Sequence, residues 1–331
     1  MYPKLTRFKN YLYEHKPHVV CLSETFLVDE REPKFQNYCT YFKHRVGKTG
    51  GGLATLVRND LISYEKMFNK FGEGQLEVQA VTIISDSDKI DILNIYNPCC
   101  NIATKEFEYY FQKLYPKCII IGDMNAHHPM WENVINWNVT GNNLVNVLFK
   151  FPDITLITPK ALQTYNNVNN FSSSTIDLCF TSSGLSLNPK VKTIDDFGSD
   201  HELIQITFNS KPNIQQIKTR PKWKFGERPD WEKWRKNLPG IQPTGNVEMD
   251  YEHFTKNVVN TSLNIFGKTS GIHHPKYTKP WWNEQCEEVV LTRKRAKKEL
   301  KRNPTPMNLI YFKKCEAIVK RTVKIAKKKF V

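Results

Sequence analysis

The stretch that most constrains this chain is an apolar run that ends in glycine and is followed by Asp-x-Asn, at residues 118–128. The run at 118–121 is too apolar for an exposed strand and predicts a short buried one. Because residues i and i+2 of an extended chain point to the same side, Asp123 and Asn125 should leave the strand end together. A carboxylate beside an amide suits a divalent cation or a phosphate. The pattern is equally typical of a strand followed by an Asx turn, so a functional interpretation needs partners elsewhere in the chain.

Other polar groups lie where apolar strands begin or end. Glu24 follows the run at 19–22, Tyr96 closes the run at 90–95, and Asp200 with His201 immediately precedes the run at 203–208. Asp177 lies within the apolar stretch 174–180, where an acid needs a partner to offset its desolvation. These side chains offer oxygens for a hard metal, a base for water and donors for an oxyanion. That set indicates metal-assisted hydrolysis of a phosphate ester.

The hydrophobic pattern divides the chain into two regions of different character. Up to about residue 210 it predicts many strands with few helices between them, including a helix over 4–15 and another N-capped by Thr104. This pattern favours an α/β fold with two mostly antiparallel sheets over a doubly wound parallel fold. We therefore predict a domain over 1–210, a linker over 211–245 and a basic helical region over 246–331. The helices of that last region are expected at 251–266, 280–301 and 306–330.

The basic charge is confined to the last third of the chain. Residues 211–331 hold 28 Lys+Arg and 11 Asp+Glu, a net charge of +17, whereas residues 1–210 hold 20 and 22, a net charge of −2. Such a tail is by default a solvated surface, but at this density it equally indicates an anionic partner, either nucleic acid or an acidic membrane face. The sequence shows no signal peptide, no long apolar segment and no C-x-x-C pair among its eight cysteines. We therefore expect an intracellular protein in a reducing setting, and the basic tail would suit the nucleus.

Five motifs follow one another in a specific order, although each alone is weak. They are Ser-Glu-Thr at 23–25, Asn-Ile-Tyr-Asn-Pro at 94–98, Gly-Asp-Met-Asn-Ala-His-His at 122–128, Ser-Thr-Ile-Asp-Leu at 174–178 and Gly-Ser-Asp-His at 198–201. In this order the chain resembles the endonuclease/exonuclease/phosphatase superfamily over roughly residues 4–208. It looks most like the endonuclease domain of Jockey-type non-LTR retrotransposon polyproteins. The glycine run at 49–53 and the extended stretch 122–131 favour that subgroup over phosphoinositide phosphatases.

The resemblance implies a two-sheet α/β sandwich with the site on one edge. It also implies a role for each matching residue. Glu24 would be the principal Mg²⁺ ligand, with Mn²⁺ as the alternative ion, and Asp200 would assist. Asp123 would orient or deprotonate the attacking water. Asn125, Tyr96 and His201 would bind the scissile phosphate, with His201 paired to Asp177. His127 and His128 are expected to be structural or to face DNA, because neighbouring side chains diverge.

Two departures from the family pattern shape the expectation for this chain. The family opens with a central strand carrying an Asn at the metal site, whereas this sequence starts at the helix that follows it. We therefore expect the first strand and its Asn to be missing, which would expose a sheet edge. Residues 246–331 resemble the connector that precedes a reverse transcriptase, which is itself absent, so the chain is interpreted as a fragment truncated at both ends. The Ile-Asp-Asp stretch at 194–196 is expected to be a loop and not a polymerase turn.

Three functional hypotheses follow. The first is a Mg²⁺-dependent DNA endonuclease that nicks target DNA and leaves a 3′-OH for target-primed reverse transcription, with DNA as its partner and element RNA as a further partner of the basic tail. The second is a catalytically dead nucleic-acid-binding fragment of such an element. The third is a phosphatase acting on small phosphoesters at a membrane, although our first interpretation includes no membrane partner.

Overall fold

The computed structural model describes residues 5–27, 32–45, 47, 50–85, 88–133, 137–183, 185, 189–194, 197–208, 223–225, 229–240, 242–268 and 281–330. The chain forms two compact units, one of Met1–Gln215 together with Tyr277–Val331 and one of Gln216–Lys276. Two predicted stretches lie outside the described residues: the acidic pair 195–196 and residues 211–222 of the predicted linker. Among the described residues, none of the helices is both long and apolar enough to cross a bilayer.

The helices and strands alternate irregularly along the chain. In chain order they are α1 (Leu5–His15), β1 (Val19–Leu22), β2 (Tyr38–Lys43), β3 (Leu53–Arg58), β4 (Ile62–Lys66), β5 (Glu77–Ser85), β6 (Asp88–Tyr96), α2 (Thr104–Phe111), β7 (Lys117–Asp123), α3 (Val139–Lys150), β8 (Ile154–Leu156), β9 (Tyr165–Asn167), β10 (Ser172–Ser174), β11 (Asp177–Ser182), β12 (Lys190–Thr193), β13 (Ile204–Thr207), α4 (Trp231–Asn237), α5 (Val247–Ile265), α6 (Glu284–Arg302) and α7 (Pro306–Phe330).

Two sheets form the centre of the first unit. The larger has six strands in the order β4-β5-β6-β7-β11-β8, and the smaller has three in the order β1-β3-β2. Every pairing in these sheets is antiparallel except that of β6 with β7. Two short ribbons, β9–β10 and β12–β13, complete the described strands. The predicted two-sheet, mostly antiparallel α/β sandwich is thus confirmed.

The apolar residues of the strands explain why the two sheets stack. Successive side chains of a strand point to opposite faces. On β6, Ile92 faces the small sheet and packs near Val57, whereas Leu93 faces away and packs with Phe107 of α2. On the outer face of the small sheet, α1 contributes Phe8 to a separate apolar cluster. The result is a helix, two sheets and a further helical layer, with burial of each large apolar side chain contributing roughly 2–3 kcal/mol.

Strand register brings three of the predicted site residues side by side. Tyr96 on β6 is opposite Asp123 on β7, and Asp123 is opposite Asp177 on β11. Gly122 makes this close strand pairing possible, because a Cβ at that position would lie 1.8 Å from the carbonyl oxygen of Ile95. The glycine that ends the apolar run is therefore required by the approach of the neighbouring strand.

The structure corrects two local expectations. Ala103, and not Thr104, is the N-cap of α2, and it makes no side-chain capping bond. Asp177 is the first residue of β11 and is not in its interior, so its side chain lies at the edge of the sheet. Among the described residues β1 pairs with β3 alone and β13 pairs with β12 alone, so each has an edge without a partner strand.

The domain boundaries stay a prediction, and the compact units group the chain in another way. The helical pair α6–α7 belongs to the first unit, although it follows the second unit in sequence. Helix α4 lies within the segment predicted as a linker. In the second unit, Trp231 packs near Phe225 and Phe266, and Trp234 Nε1 donates to Ser262 Oγ over 2.9 Å.

Candidate active site

A cleft of about 350 Å³ opens beside the ends of β1, β7 and β11. The described residues that line it include five acids and one histidine, but neither lysine nor arginine: Glu24, Asp123, Asp177, Asp200, Glu202 and His201. Such an excess of carboxylate is unfavourable unless protons, hydrogen bonds or a cation compensate it. The cleft is therefore suited to a positively charged ligand bound by oxygen.

A hydrogen-bonded histidine lies between two of these acids. His201 Nδ1 is 2.8 Å from Asp177 Oδ2, and His201 Nε2 is 4.0 Å from Asp123 Oδ2. The ring of His201 also packs edge-on against Tyr165, with centroids 5.1 Å apart. The bond to Asp177 fixes the orientation of the imidazole and leaves its second nitrogen facing Asp123 and the cleft.

The charges of the acids control how these groups titrate. Burial disfavours the imidazolium of His201, but the hydrogen bond and charge of Asp177, with Asp123 and Asp200, outweigh it and raise the pKa to about 9. Burial, followed by the charge of Asp177, raises the pKa of Asp123 to about 7, although the charge of His201 opposes this. At neutral pH, His201 is thus a cationic donor, and Asp123 can gain or lose a proton.

Asn125 helps to hold the carboxylate of Asp123 in place. Its backbone has a positive φ of 42°. Its N–H donates to Asp123 Oδ1 over 3.1 Å, and its Nδ2 donates to Asn97 O over 2.8 Å. Asn138 Nδ2 in turn donates to Asn125 O over 2.8 Å. Asn125 therefore orients Asp123 directly, while its side-chain amide is anchored to the loop after β6.

Glu24 reaches the cleft from the end of β1. The hydroxyl of Tyr96 donates to Glu24 Oε1. Burial and the neighbouring Glu24 raise the pKa of Tyr96, so the phenol remains a neutral donor at physiological pH. In the segment after Glu24, Thr25 N donates a hydrogen bond to Gly52 O of the glycine run over 3.1 Å. The glycine run is thus a turn feeding β3 that also holds the Glu24 loop.

Asp200 lies on the rim of the cleft. Its side chain is exposed and accepts a hydrogen bond from Ser199 Oγ over 3.3 Å, and its carbonyl accepts one from Asn166 N over 2.8 Å. The structure does not bring Asp200 or Glu24 into the tight acidic cluster, which consists of Asp123, Asp177 and His201 with ligand atoms within 4.8 Å of one another.

The chemistry of the donors decides which of these groups would hold a cation. A protonated His201 has no free lone pair, and Asp177 is engaged with it. Glu202 is paired with Lys301. The carboxylates left on the cleft are therefore those of Glu24, Asp123 and Asp200, oxygen donors of the kind that Mg²⁺ or Mn²⁺ prefers. The residues present therefore fit a divalent cation.

The side chains of the two histidines after Asn125 interact with residues of their own loop. His127 Nδ1 lies 2.8 Å from Glu132 Oε2, and this hydrogen bond raises its pKa. His128 packs near Trp131, with centroids 5.4 Å apart, and burial lowers its pKa. Neither histidine belongs to the cluster that could hold a metal among the described residues.

Sequence reasoning missed three supporting residues. Thr164 Oγ1 accepts from Asp177 N over 3.0 Å, Asn138 Nδ2 donates to Asn125 O, and Glu202 follows His201 in the lining of the cleft. Asn138 carried a signal, since an Asn before a helical pattern predicts an N-cap, and its side chain does accept from Gly141 N. The sequence around Thr164 and Glu202 carried no such signal.

Comparison with known proteins finds a family match over part of the chain. Residues 90–205 match the family described as "Endonuclease-reverse transcriptase" (Exo_endo_phos_2). This match confirms the resemblance that the five motifs predicted.

The chain is similar to two proteins of mobile elements and to a phosphatase solved with DNA. It is 24% identical over 224 residues to a probable RNA-directed DNA polymerase from transposon X-element of Drosophila melanogaster, covering 66% of this chain and 24% of the relative's length. The endonuclease domain of TRAS1, a telomere-specific non-LTR retrotransposon, matches with a TM-score of 0.50 and 16% identity, over 63% of this chain and 94% of that one. A 3′ phosphatase from Neisseria, solved with a product DNA hairpin, has a TM-score of 0.48 and 15% identity, over 63% of this chain and 95% of that one.

Proposed function

We propose that this chain is a Mg²⁺-dependent DNA endonuclease that nicks target DNA and leaves a 3′-OH for target-primed reverse transcription. The observation that carries the proposal is the row of Tyr96, Asp123 and Asp177 across three neighbouring strands, completed by His201. A general base, a cationic donor and spare carboxylates face one cleft, as phosphodiester hydrolysis requires.

Asp123 is the proposed base. Its pKa of about 7 lies close to physiological pH, so it can remove a proton from a water molecule held beside the phosphorus. Asn125 keeps this carboxylate oriented through its backbone N–H. The side chain of Asp123 is 5% exposed, which limits competition from bulk water.

His201 is the proposed donor to the developing negative charge of the phosphate. The carboxylate of Asp177 keeps the imidazole protonated and oriented, and Nε2 is left to face the reacting group. Tyr96 lies at the same edge, but its single phenolic proton is donated to Glu24, so His201 is the donor that we propose for the phosphate. Directed donors in a partly enclosed site contribute roughly 3–4 kcal/mol each to transition-state stabilisation.

Glu24 and Asp200 would hold the divalent cation, which leaves Asp123 free to act as the base. When bound, such an ion supplies Lewis-acid stabilisation of the phosphoryl oxygens and of the leaving group. The hydrogen bond from Tyr96 then fixes the carboxylate of Glu24 for that purpose.

DNA is the proposed partner, and the basic C-terminal helices supply much of the affinity. Residues 211–331 carry a net charge of +17, and α7 exposes lysines along its length. Binding of this kind is independent of base sequence and weakens steeply with salt. Element RNA is a second proposed partner of the same surface, and the nucleus is the proposed site of action.

The experiment is nicking of supercoiled plasmid by the full chain with Mg²⁺ and with EDTA. We expect conversion to open circles with Mg²⁺ alone, and loss of at least about 100-fold in rate for Asp123→Asn. Asp153→Asn is the matched control, because it is the same chemical change at an exposed position outside the cleft.

Three outcomes are distinguishable. Equal nicking by Asp123→Asn and Asp153→Asn would overturn the assignment of the base. Tight DNA binding by the parent chain without any Mg²⁺-dependent nicking would favour the catalytically dead fragment. Release of phosphate from an inositol lipid without DNA nicking would favour the phosphatase.

A further inference from the structure

The loop that carries His201 is held between two elements outside the central sheets. It begins with two residues of positive φ, Phe197 at 48° and Gly198 at 85°. On one side Phe197 packs edge-on against Phe8 and Tyr11 of α1, with ring centroids 6.0 and 5.4 Å apart. The other side of the loop faces α6, and Arg293 of that helix is the nearest group to a Cβ built on Gly198, at 4.0 Å.

Two lysines of α6 bind this loop directly. Lys297 Nζ donates to Ser199 O over 2.9 Å and lies 3.7 Å from Glu202 Oε1. Lys301 Nζ donates to the same Glu202 oxygen over 2.6 Å, and Asn166 Nδ2 approaches it at 3.3 Å. Lys297 is only 5% exposed. Because a buried ammonium is costly unless it is paired, these contacts are needed once α6 is docked.

The helix itself is firmly placed. Ala296 and Leu300 of α6 pack with Phe312 and Cys315 of α7 in one buried apolar cluster, and Val168 from the β9–β10 ribbon packs against it. The lysines therefore extend from a rigid helical pair to the loop, and they are not free to follow the loop if it moves.

Glu202 connects this contact to the acid–histidine pair. Its N–H donates to Thr164 O over 2.7 Å, and Thr164 Oγ1 accepts from Asp177 N over 3.0 Å. Asp177 in turn holds His201. One continuous set of hydrogen bonds thus runs from the C-terminal helices to both members of the pair.

We propose that Lys297 and Lys301 are positioning residues for His201, and that the helical pair α6–α7 is a working part of the catalytic unit as well as a basic tail. The inference rests on the proposed function, because it concerns the geometry of the same site. It predicts that the lysines act through Ser199 and Glu202 on the rate of the chemical step, whereas DNA affinity depends on exposed charge elsewhere.

The test compares Lys297→Met with Lys298→Met in the full chain. Both substitutions remove one positive charge from α6, but Lys298 is exposed whereas Lys297 is buried. Lys297→Met keeps an unbranched apolar chain in the buried position. We expect kcat for nicking a short duplex to be about 10- to 100-fold lower in Lys297→Met than in Lys298→Met, since small misplacements of a reacting group have effects of that size. The KM of Lys297→Met should stay within about twofold of the parent value, because its ammonium is buried against Ser199 and Glu202 and does not face DNA phosphates.

A second measurement does not depend on activity. Hydrogen exchange at the amides of 199–203 should be faster in Lys297→Met than in Lys298→Met, while exchange in β6 and β7 is unchanged. The double variant Glu202→Gln with Lys297→Met should lose less kcat than the two single losses combined, since both act on one contact.

The outcomes separate the two proposals. If the parent chain never cuts DNA, the proposed endonuclease fails, yet the exchange experiment still tests whether α6 holds the loop. Equal kcat and equal loop exchange in the two lysine variants would overturn the positioning role. Accelerated exchange throughout the sheets of Lys297→Met would show a global structural effect and would also contradict it.

Discussion

Replacing Asp177 by Asn should remove the main interaction that keeps His201 protonated. Asn has the shape of Asp but no charge, so the ring keeps a hydrogen-bond acceptor and loses its ion pair. Because the pKa of His201 in the folded chain is about 9 and its ordinary value is 6.5, the change should move the pKa down towards or below that ordinary value.

The magnitude follows from the two pKa values. A group whose pKa is higher in the folded chain stabilises it at low pH, and the contribution is lost as pH rises through the folded pKa. With 1.36 kcal/mol per pKa unit, the imidazolium of His201 contributes about 3 kcal/mol below pH 6, about 2 kcal/mol at pH 7.5 and almost nothing at pH 10. The side chain is 29% exposed, so solvent screening reduces this only moderately.

Asp123 titrates in a different window. Its pKa is raised from 3.8 to about 7, so the stability linked to its protonation is lost as pH rises from about 4 to 7. The interval from pH 7.5 to 10 therefore isolates His201, and groups that titrate there in both proteins cancel in the comparison.

The assay is an NMR titration of the His201 ring in the parent chain and in Asp177→Asn, both in EDTA. Exchange of the β6 and β7 amides at pH 7.5 and 10 then measures stability of the six-stranded sheet in each. We expect the parent ring to titrate near pH 9 and the variant ring near or below pH 6.5. A parent ring that titrates near 6.5, or the same pKa in both proteins, would refute the electrostatic argument.

Three further predictions concern stability and DNA binding. Gly122→Ala should destabilise the sheet by at least about 3 kcal/mol in urea unfolding, because the new Cβ would meet the Ile95 carbonyl at 1.8 Å; a loss below 1 kcal/mol would contradict the register. Asn138→Ala should cost about 1–2 kcal/mol through loss of the α3 cap, and an unchanged urea midpoint would count against that cap. Replacing exposed Lys313 and Lys320 by Gln should lower the slope of log K against log salt by up to about 1.8, measured by fluorescence anisotropy with a labelled duplex; an unchanged slope would mean that α7 does not contact phosphates.

The sequence predicts the local part of this site well. The apolar run before Asp123 forms β7, and the glycine at its end is required by the neighbouring strand. The apolar run at 90–95 likewise lies in β6, which ends at Tyr96. These features are encoded by short stretches of chain, where burial and backbone sterics act between near neighbours.

The grouping of the site residues could not be derived from the same patterns. That Tyr96, Asp123 and Asp177 are neighbours depends on the pairing of three strands distant in sequence, and register between such strands is a tertiary property. The resemblance to a known family supplied the roles, and the structure adds a distinction between the hydrogen-bonded histidine and the carboxylates left for a cation.

The C-terminal helices show a different limit. In α6 the basic residues at 293, 297 and 301 recur at helical spacing, a pattern that normally indicates a solvated face. Two of them are buried: Lys297 donates to Ser199 O, 98 residues earlier in the chain, and Arg293 lies 3.6 Å from Glu316 of α7. Nothing in the local sequence distinguishes a lysine that pairs with a distant carboxylate from one in water.

The most direct test of the central claim is the chemistry of the ends that this chain makes in plasmid DNA. The full chain is incubated with supercoiled plasmid and Mg²⁺, and the product is given to a DNA polymerase without phosphatase treatment. Our account predicts nicks that the polymerase extends at once, from 3′-OH ends, and no extension after incubation with Asp123→Asn. Nicks that can be extended only after removal of a 3′-phosphate, or nicking that persists in Asp123→Asn, would contradict it.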